Sequence, residues 1–105
     1  MLPKDYTYEP MPPELQIKDS IIAGRGVFAI IDIESNRTFW DFETHYKAPH
    51  KLLRTRLGSY LNHKEKPNCK LINIDNCFFL KTIKPIFAGE ELTLNYSKEA
   101  CGLGL

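Results

Sequence analysis

The chain has 105 residues, 43% hydrophobic and 26% charged, with a net charge of +1. That balance suits one globular domain able to bury its own core, and argues against a low-complexity or disordered chain. No apolar run approaches the roughly 18 residues of a membrane span, and the N-terminus lacks the apolar core of a signal peptide.

Met1 to Pro13 holds four of the seven prolines, and Tyr6 and Tyr8 alternate there with polar residues. The segment reads as an extended arm with a short edge strand. Leu15 to Lys18 alternates apolar and polar residues as a half-buried strand does. Gly24-Arg25-Gly26 then leads into a β-rich run through Val27, Phe28 and Ile30. Taken alone, the two glycines read as a hairpin turn. They also let backbone groups come close to a ligand, but a third glycine and a following helix are missing, so they are not a dinucleotide fingerprint.

Asp32 to Asn36 is a turn signal, and Arg37 to Phe42 is a strand rich in aromatics. Thr44 to His50 reads as a polar connection, and Lys51 to Leu57 as one or two helical turns dependent on tertiary support. Asn62-His63-Lys64-Glu65-Lys66-Pro67-Asn68 suits neither helix nor strand and reads as a tight functional loop. Lys70 to Ile74 and Cys77 to Ile83 form a hairpin around Asp75-Asn76, two residue types that tolerate φ > 0. A last short strand covers Glu91 to Leu94. Many short strands with little helix make this a β-dominated domain.

Charge is unevenly spread. Residues 47 to 70 carry seven Lys/Arg against one acid, Glu65, so the remainder is net negative by five. A basic middle suits an anionic or acidic partner, or a solvated surface turn. The cysteines, Cys69, Cys77 and Cys101, are odd in number and show no Cys-x-x-Cys spacing, which fits a reduced intracellular compartment. His63, Cys69 and Cys77 lack the paired ligands of a tetrahedral zinc site. Cys69 and His63 share one short loop, poor geometry for a nucleophile and its base. Taken alone, His63 reads as a structural histidine and Tyr96 as a partly buried core tyrosine.

In order, Gly24-Arg25-Gly26-Val27-Phe28-Ala29, then Tyr60-Leu61-Asn62-His63 through Pro67-Asn68-Cys69, then Gly89-Glu90-Glu91-Leu92-Thr93-Leu94-Asn95-Tyr96 closely resemble the SET domain. The likeness runs from about Ile17 to Ser97. It implies a mostly β fold of several small curved antiparallel sheets with little helix. The C-terminal segment would thread under the Asn-His loop as a pseudoknot, an arrangement rare among proteins. Residues 1–13 would be the arm, 14–98 the SET domain and 99–105 a short tail.

The resemblance further implies methyl transfer from S-adenosyl-L-methionine to the side-chain amine of a protein lysine, leaving S-adenosyl-L-homocysteine. Gly24, Arg25, Gly26, Tyr60, Asn62, His63 and Tyr96 would hold the cofactor. Tyr96 would be the catalytic residue, and Phe42, Tyr60 and Leu94 would line the lysine channel. Glu65 stands where many relatives carry a zinc-binding cysteine, and only Cys101 lies downstream, so no metal is expected. The nine residues after Tyr96, with glycines at 102 and 104, offer a minimal lid, or a homodimer partner completes it. The insert from Glu43 to Leu57 is short, and Leu94 replaces an aromatic. Such brevity resembles the minimal SET proteins of viruses, phages and some bacteria. Two further readings compete: a SET-like binding module without turnover, and a nucleic-acid binder using Lys47, Lys51, Arg54, Arg56, Lys64, Lys66 and Lys70.

Overall fold

The computed structural model describes residues 10–49 and 51–103, apart from the side chain of Cys101. The edge strand expected at Tyr6 and Tyr8, the end of the polar connection at His50, and Gly104 of the expected lid lie outside the described residues. The fold is mostly strand, in two curved four-stranded sheets.

The first sheet begins with a hairpin of β1 (Leu15–Asp19) and β2 (Arg25–Ala29). β8 (Glu91–Leu94) joins β2 antiparallel and β5 (Asn62–His63) joins β8 parallel, giving the order β1-β2-β8-β5. The second sheet orders β4 (Lys51–Arg54), β3 (Thr38–Ala48), β7 (Cys77–Thr82) and β6 (Cys69–Ile74), all antiparallel. Asp75 and Asn76 turn β6 into β7 with φ of 50° and 67°, the paired positive values of a two-residue hairpin turn. Burial on β7 alternates strictly, with Phe78, Leu80 and Thr82 buried and their neighbours half-buried.

Two expectations from sequence are corrected. The polar stretch from Thr44 is not a connection: β3 runs on to Ala48, with Thr44 and His45 fully buried. Lys51 to Arg54 is not helical but pairs back on β3, Arg54 opposite His45. Only Arg56–Ser59 forms the helical turn α1. The physical reason is pairing. Thr44 finds an acceptor in the Phe78 carbonyl at 3.2 Å, and Thr55 caps α1 by accepting from Gly58 N–H at 3.3 Å. Gly58 packs so closely on β3 that a Cβ there would stand 1.9 Å from the Thr44 carbonyl oxygen.

Val27, Leu57, Leu80, Ile86, Leu92 and Leu94 form the buried centre between the sheets. The helix α2 (Tyr96–Leu103) closes the chain, with Leu103 buried. It occupies part of the segment read from sequence as a lid. Among the described residues no helix is long and apolar enough to cross a membrane.

His45 is the costly core residue. Its Nδ1 lies 2.9 Å from Thr44 Oγ1, while Nε2 is buried without a partner. Burial, aided by the Arg54 guanidinium, lowers its pKa from 6.5 to about 4. The unfolded chain therefore binds a proton that the folded chain refuses between those values. Stability from this group is complete above pH 6.5 and is lost as pH falls towards 4, by about 3 kcal/mol at most. Chemical denaturation from pH 7.5 to 4 should show that loss, and His45→Phe should flatten it.

Candidate active site

The threaded arrangement comes from β8. Its neighbour β5 is only two residues long, so side chains complete the fastening. Asn68 Oδ1 accepts from Thr93 N–H at 2.9 Å, and Asn68 Nδ2 donates to the Glu91 carbonyl at 2.8 Å. The amide thus supplies the donor and acceptor that another strand would have offered. Lys64 N–H donates to the Leu94 carbonyl at 2.9 Å, and Asn95 Nδ2 to the Glu65 carbonyl at 3.1 Å. The loop from Lys64 to Asn68 therefore clasps the last strand.

That clasp brings three distant pieces of sequence together. Asn62 Nδ2 lies 3.1 Å from both the Ala23 and Arg25 carbonyls and 2.7 Å from Glu91 Oε2. Glu91 Oε1 accepts from Ser20 Oγ at 2.6 Å. The glycine turn, the Asn-His strand and β8 are thereby tied at one amide. Gly24 has φ +45°, which turns the chain so that these carbonyls face Asn62. At Gly26 a Cβ would fall 2.1 Å from Glu91 Oε2, so any side chain there would push the Glu91 carboxylate off its place beside Asn62.

The tyrosine arrives on the other flank. Tyr96 N–H donates to His63 Nδ1 at 3.0 Å, which puts the ring proton of neutral His63 on Nε2. The two rings stack with centroids 6.4 Å apart. Tyr96 Oη donates to the Leu61 carbonyl at 2.8 Å, one residue before Asn62. Burial raises the Tyr96 pKa; Arg54 partly opposes this and Glu99 adds to it. The phenol is thus protonated at neutral pH.

Of the other residues singled out from sequence, Arg25 is exposed beside the glycines. Phe42 and Tyr60 are half-buried and pack on the core, as Tyr96 does. Leu94, expected to line the channel, is fully buried in that core. A cavity of about 460 Å³ opens beside the site, bordered by His63, Lys64, Asn68, Glu91, Ile22 and Phe28. Asn62, Tyr60, Tyr96 and Gly24 to Gly26 are not among its lining residues, so His63 and Glu91 link cavity and cluster.

Sequence reasoning passed over Glu91, Ser20 and the Leu61 and Ala23 carbonyls. Glu91 had a faint signal as a carboxylate at the head of a short strand carrying two leucines; the carbonyls had none, because every residue carries one. The nucleophile reading of Cys69 fails. The residue is 1% exposed, and burial pushes its pKa up to about 12, leaving almost no thiolate. Among the described residues no group of three or more His, Cys, Asp and Glu could hold a metal ion.

Comparison with known proteins follows this geometry. A sequence model of the SET domain matches residues 39–97. No curated relative matches the chain. Among solved structures, the methyltransferase domain of human PR domain-containing protein 2 aligns at 20% identity with a TM-score of 0.62, covering 79% of this chain and 76% of that one. A Plasmodium falciparum protein described as a histone methyltransferase aligns at 20% identity and 0.62, covering 82% and 95%. The SET domain of the RIZ1 tumour suppressor gives 20% and 0.65, covering 84% and 72%. These likenesses establish the fold.

The Gly26–Glu91 contact predicts a specific coupling. Gly26→Ala should destabilise the protein by about 1–3 kcal/mol in urea melts. Adding Glu91→Ala, which removes the atom in the way, should make the double variant more stable than the sum of the single changes implies.

Proposed function

This chain belongs to the SET-domain family, and from that premise we propose that it transfers a methyl group from S-adenosylmethionine to the side-chain amine of a protein lysine. The observation that carries the reading is the meeting of Tyr96 Oη with the Leu61 carbonyl at 2.8 Å, beside the amide that gathers the Ala23 and Arg25 carbonyls.

The residues present fit the cofactor. The Ala23 and Arg25 carbonyls with the Asn62 amide form an acceptor-rich notch suited to an amino-acid ammonium group. His63 borders a cavity whose size suits a small molecule. Bound there, S-adenosylmethionine supplies an electrophilic methyl on a positively charged sulfur.

The chain's own residues then have two tasks. The first is to make the lysine amine neutral. With a reference pKa near ~10.4, a lysine at pH 7 lies about 3 units from neutrality, or ~4–5 kcal/mol. Phe42, Tyr60 and Tyr96 offer aromatic walls that disfavour the ammonium by removing water. The second is to hold the reacting methyl in line. The Leu61 carbonyl and the oxygen of Tyr96 are acceptors for weak C–H···O contacts at one point. Neither task needs a tuned general base, consistent with a site whose phenol stays protonated.

The complete burial of Leu94 favours one alternative: a SET-like module that holds cofactor or protein without turnover. One variant pair separates the readings. Tyr96→Phe should bind S-adenosylhomocysteine in calorimetry within about threefold of the parent, yet lose about 100-fold or more in labelled-methyl transfer. Asn62→Ala should weaken cofactor binding by at least about tenfold. A parent protein that binds cofactor and methylates no lysine across a broad panel of proteins would leave the module reading standing.

A further inference from the structure

The basic segment that the site itself does not use offers a surface with a direction. Residues directly opposite in an antiparallel pair share a face, so Arg54 stands on the face of His45, and His45 on that of Phe78. The His45 and Phe78 rings meet edge to face, 6.3 Å apart. Lys47 lies two residues along from His45 on the same strand, and its Nζ sits 5.7 Å from the Phe78 ring centroid. The helix α2 crosses this face: a Cβ on Gly102 would stand 3.9 Å from Phe78 Cε1. Lys47 and Arg54 therefore share the sheet face that α2, the helix opened by Tyr96, crosses at Gly102.

Neither cation has an acidic partner among the described residues, although Lys47 sits over the Phe78 ring. Each is exposed. Asp41 and Glu43 lie further along β3, exposed and not bonded to them. The acid within α2, Glu99, is turned to the Leu71 N–H at 3.2 Å, and burial holds its pKa above the usual carboxylate value. Lys70 lies close enough to oppose that rise. On the other side, Arg54 acts electrostatically on both His45 and the Tyr96 hydroxyl. A positive charge so placed helps to keep an incoming amine neutral, and it repels a substrate that brings further positive charge.

We infer that the seam between the β3–β4 hairpin and α2 selects a lysine flanked by acidic residues, with Lys47 and Arg54 taking the flanking carboxylates. The inference rests on the methyl-transfer reading for the role of the lysine. Its recognition half concerns binding alone and is measurable without turnover. A nucleic acid is the competing anion, but a phosphate backbone presents no amine to the Tyr96 hydroxyl, on which Arg54 acts.

The test uses three lysine peptides of equal length with acidic, neutral or basic flanks, each in fluorescence anisotropy and in methyl transfer. A duplex DNA and a single-stranded RNA serve as competitors. The acidic-flanked peptide should bind at least about tenfold more tightly than the basic one at low salt, with the gap shrinking as salt screens it. Lys47→Glu/Arg54→Glu should invert the order while leaving the neutral peptide within about threefold. Arg54→Glu alone should narrow the gap, and serves if the double variant misfolds. Equal binding of the three peptides, a preference for basic flanks, or a gap unmoved by Arg54→Glu would overturn the inference. So would nucleic acids that outcompete the acidic peptide through the same two residues. Acidic preference without methyl transfer would support the inference and count against the catalytic reading instead.

Discussion

The structure depends on one side chain acting as a piece of backbone. Asn68 gives β8 a donor and an acceptor at the point where the two-residue β5 runs out. Without that side chain, the bonds left between the loop and the last strand among the described residues are those of Lys64 N–H, the Asn95 amide and a long one, 3.4 Å, from Asn68 N–H to Thr93 Oγ1. A carboxylate at position 68 could accept from Thr93 but not donate to Glu91, and an aliphatic residue could do neither. The clasp sets how far Asn62 stands from the glycine turn and Tyr96 from Leu61. The chemistry proposed for the site is inherited from that placement.

Neutrality is the second organising theme. The buried titratable groups are held uncharged near pH 7: His45 as a free base, Cys69 as a thiol, Tyr96 as a phenol. Burial moves each pKa further toward the neutral form, since a charge inside the core loses its water. Lys47 and Arg54 stay exposed on the rim, where solvent supports their charge. A dry interior beside a charged border suits the proposed reaction, whose nucleophile must lose a proton and whose recognition depends on charge.

How much was legible in the sequence follows from where the information lay. Leu15 to Lys18 alternates in period two, and Lys70 to Ile74 and Cys77 to Ile83 are short apolar-rich runs split by the turn residues Asp75-Asn76, so all three were readable as strands. β3 beyond Phe42 was not readable, because its buried residues, Thr44 and His45, are polar and draw their partners from Phe78 and from each other. Leu52 and Leu53 suggested a helix, yet strand pairing with Tyr46 and Lys47 overrode that weak preference. Asn62, His63 and Tyr96 were found through motif order and not through local physics. Their meeting is a long-range event that no window of sequence contains. Glu91 escaped because its task, bracing an amide 29 residues away, appears only once the strands are side by side.

The parallel pairing of β5 with β8 also bears on how the protein is made. A ribosome releases the β1–β2 hairpin and the Asn-His segment well before residues 91–94, so the first sheet waits for its inner strand. Until then the edge of β2 at Val27 and Phe28 has no neighbour, and the Val27 side chain remains without the cover that Leu92 and Leu94 later provide. Exposed strand edges of this kind invite association with other nascent chains. Heterologous production should therefore favour slow synthesis and chaperone supply over high-level induction.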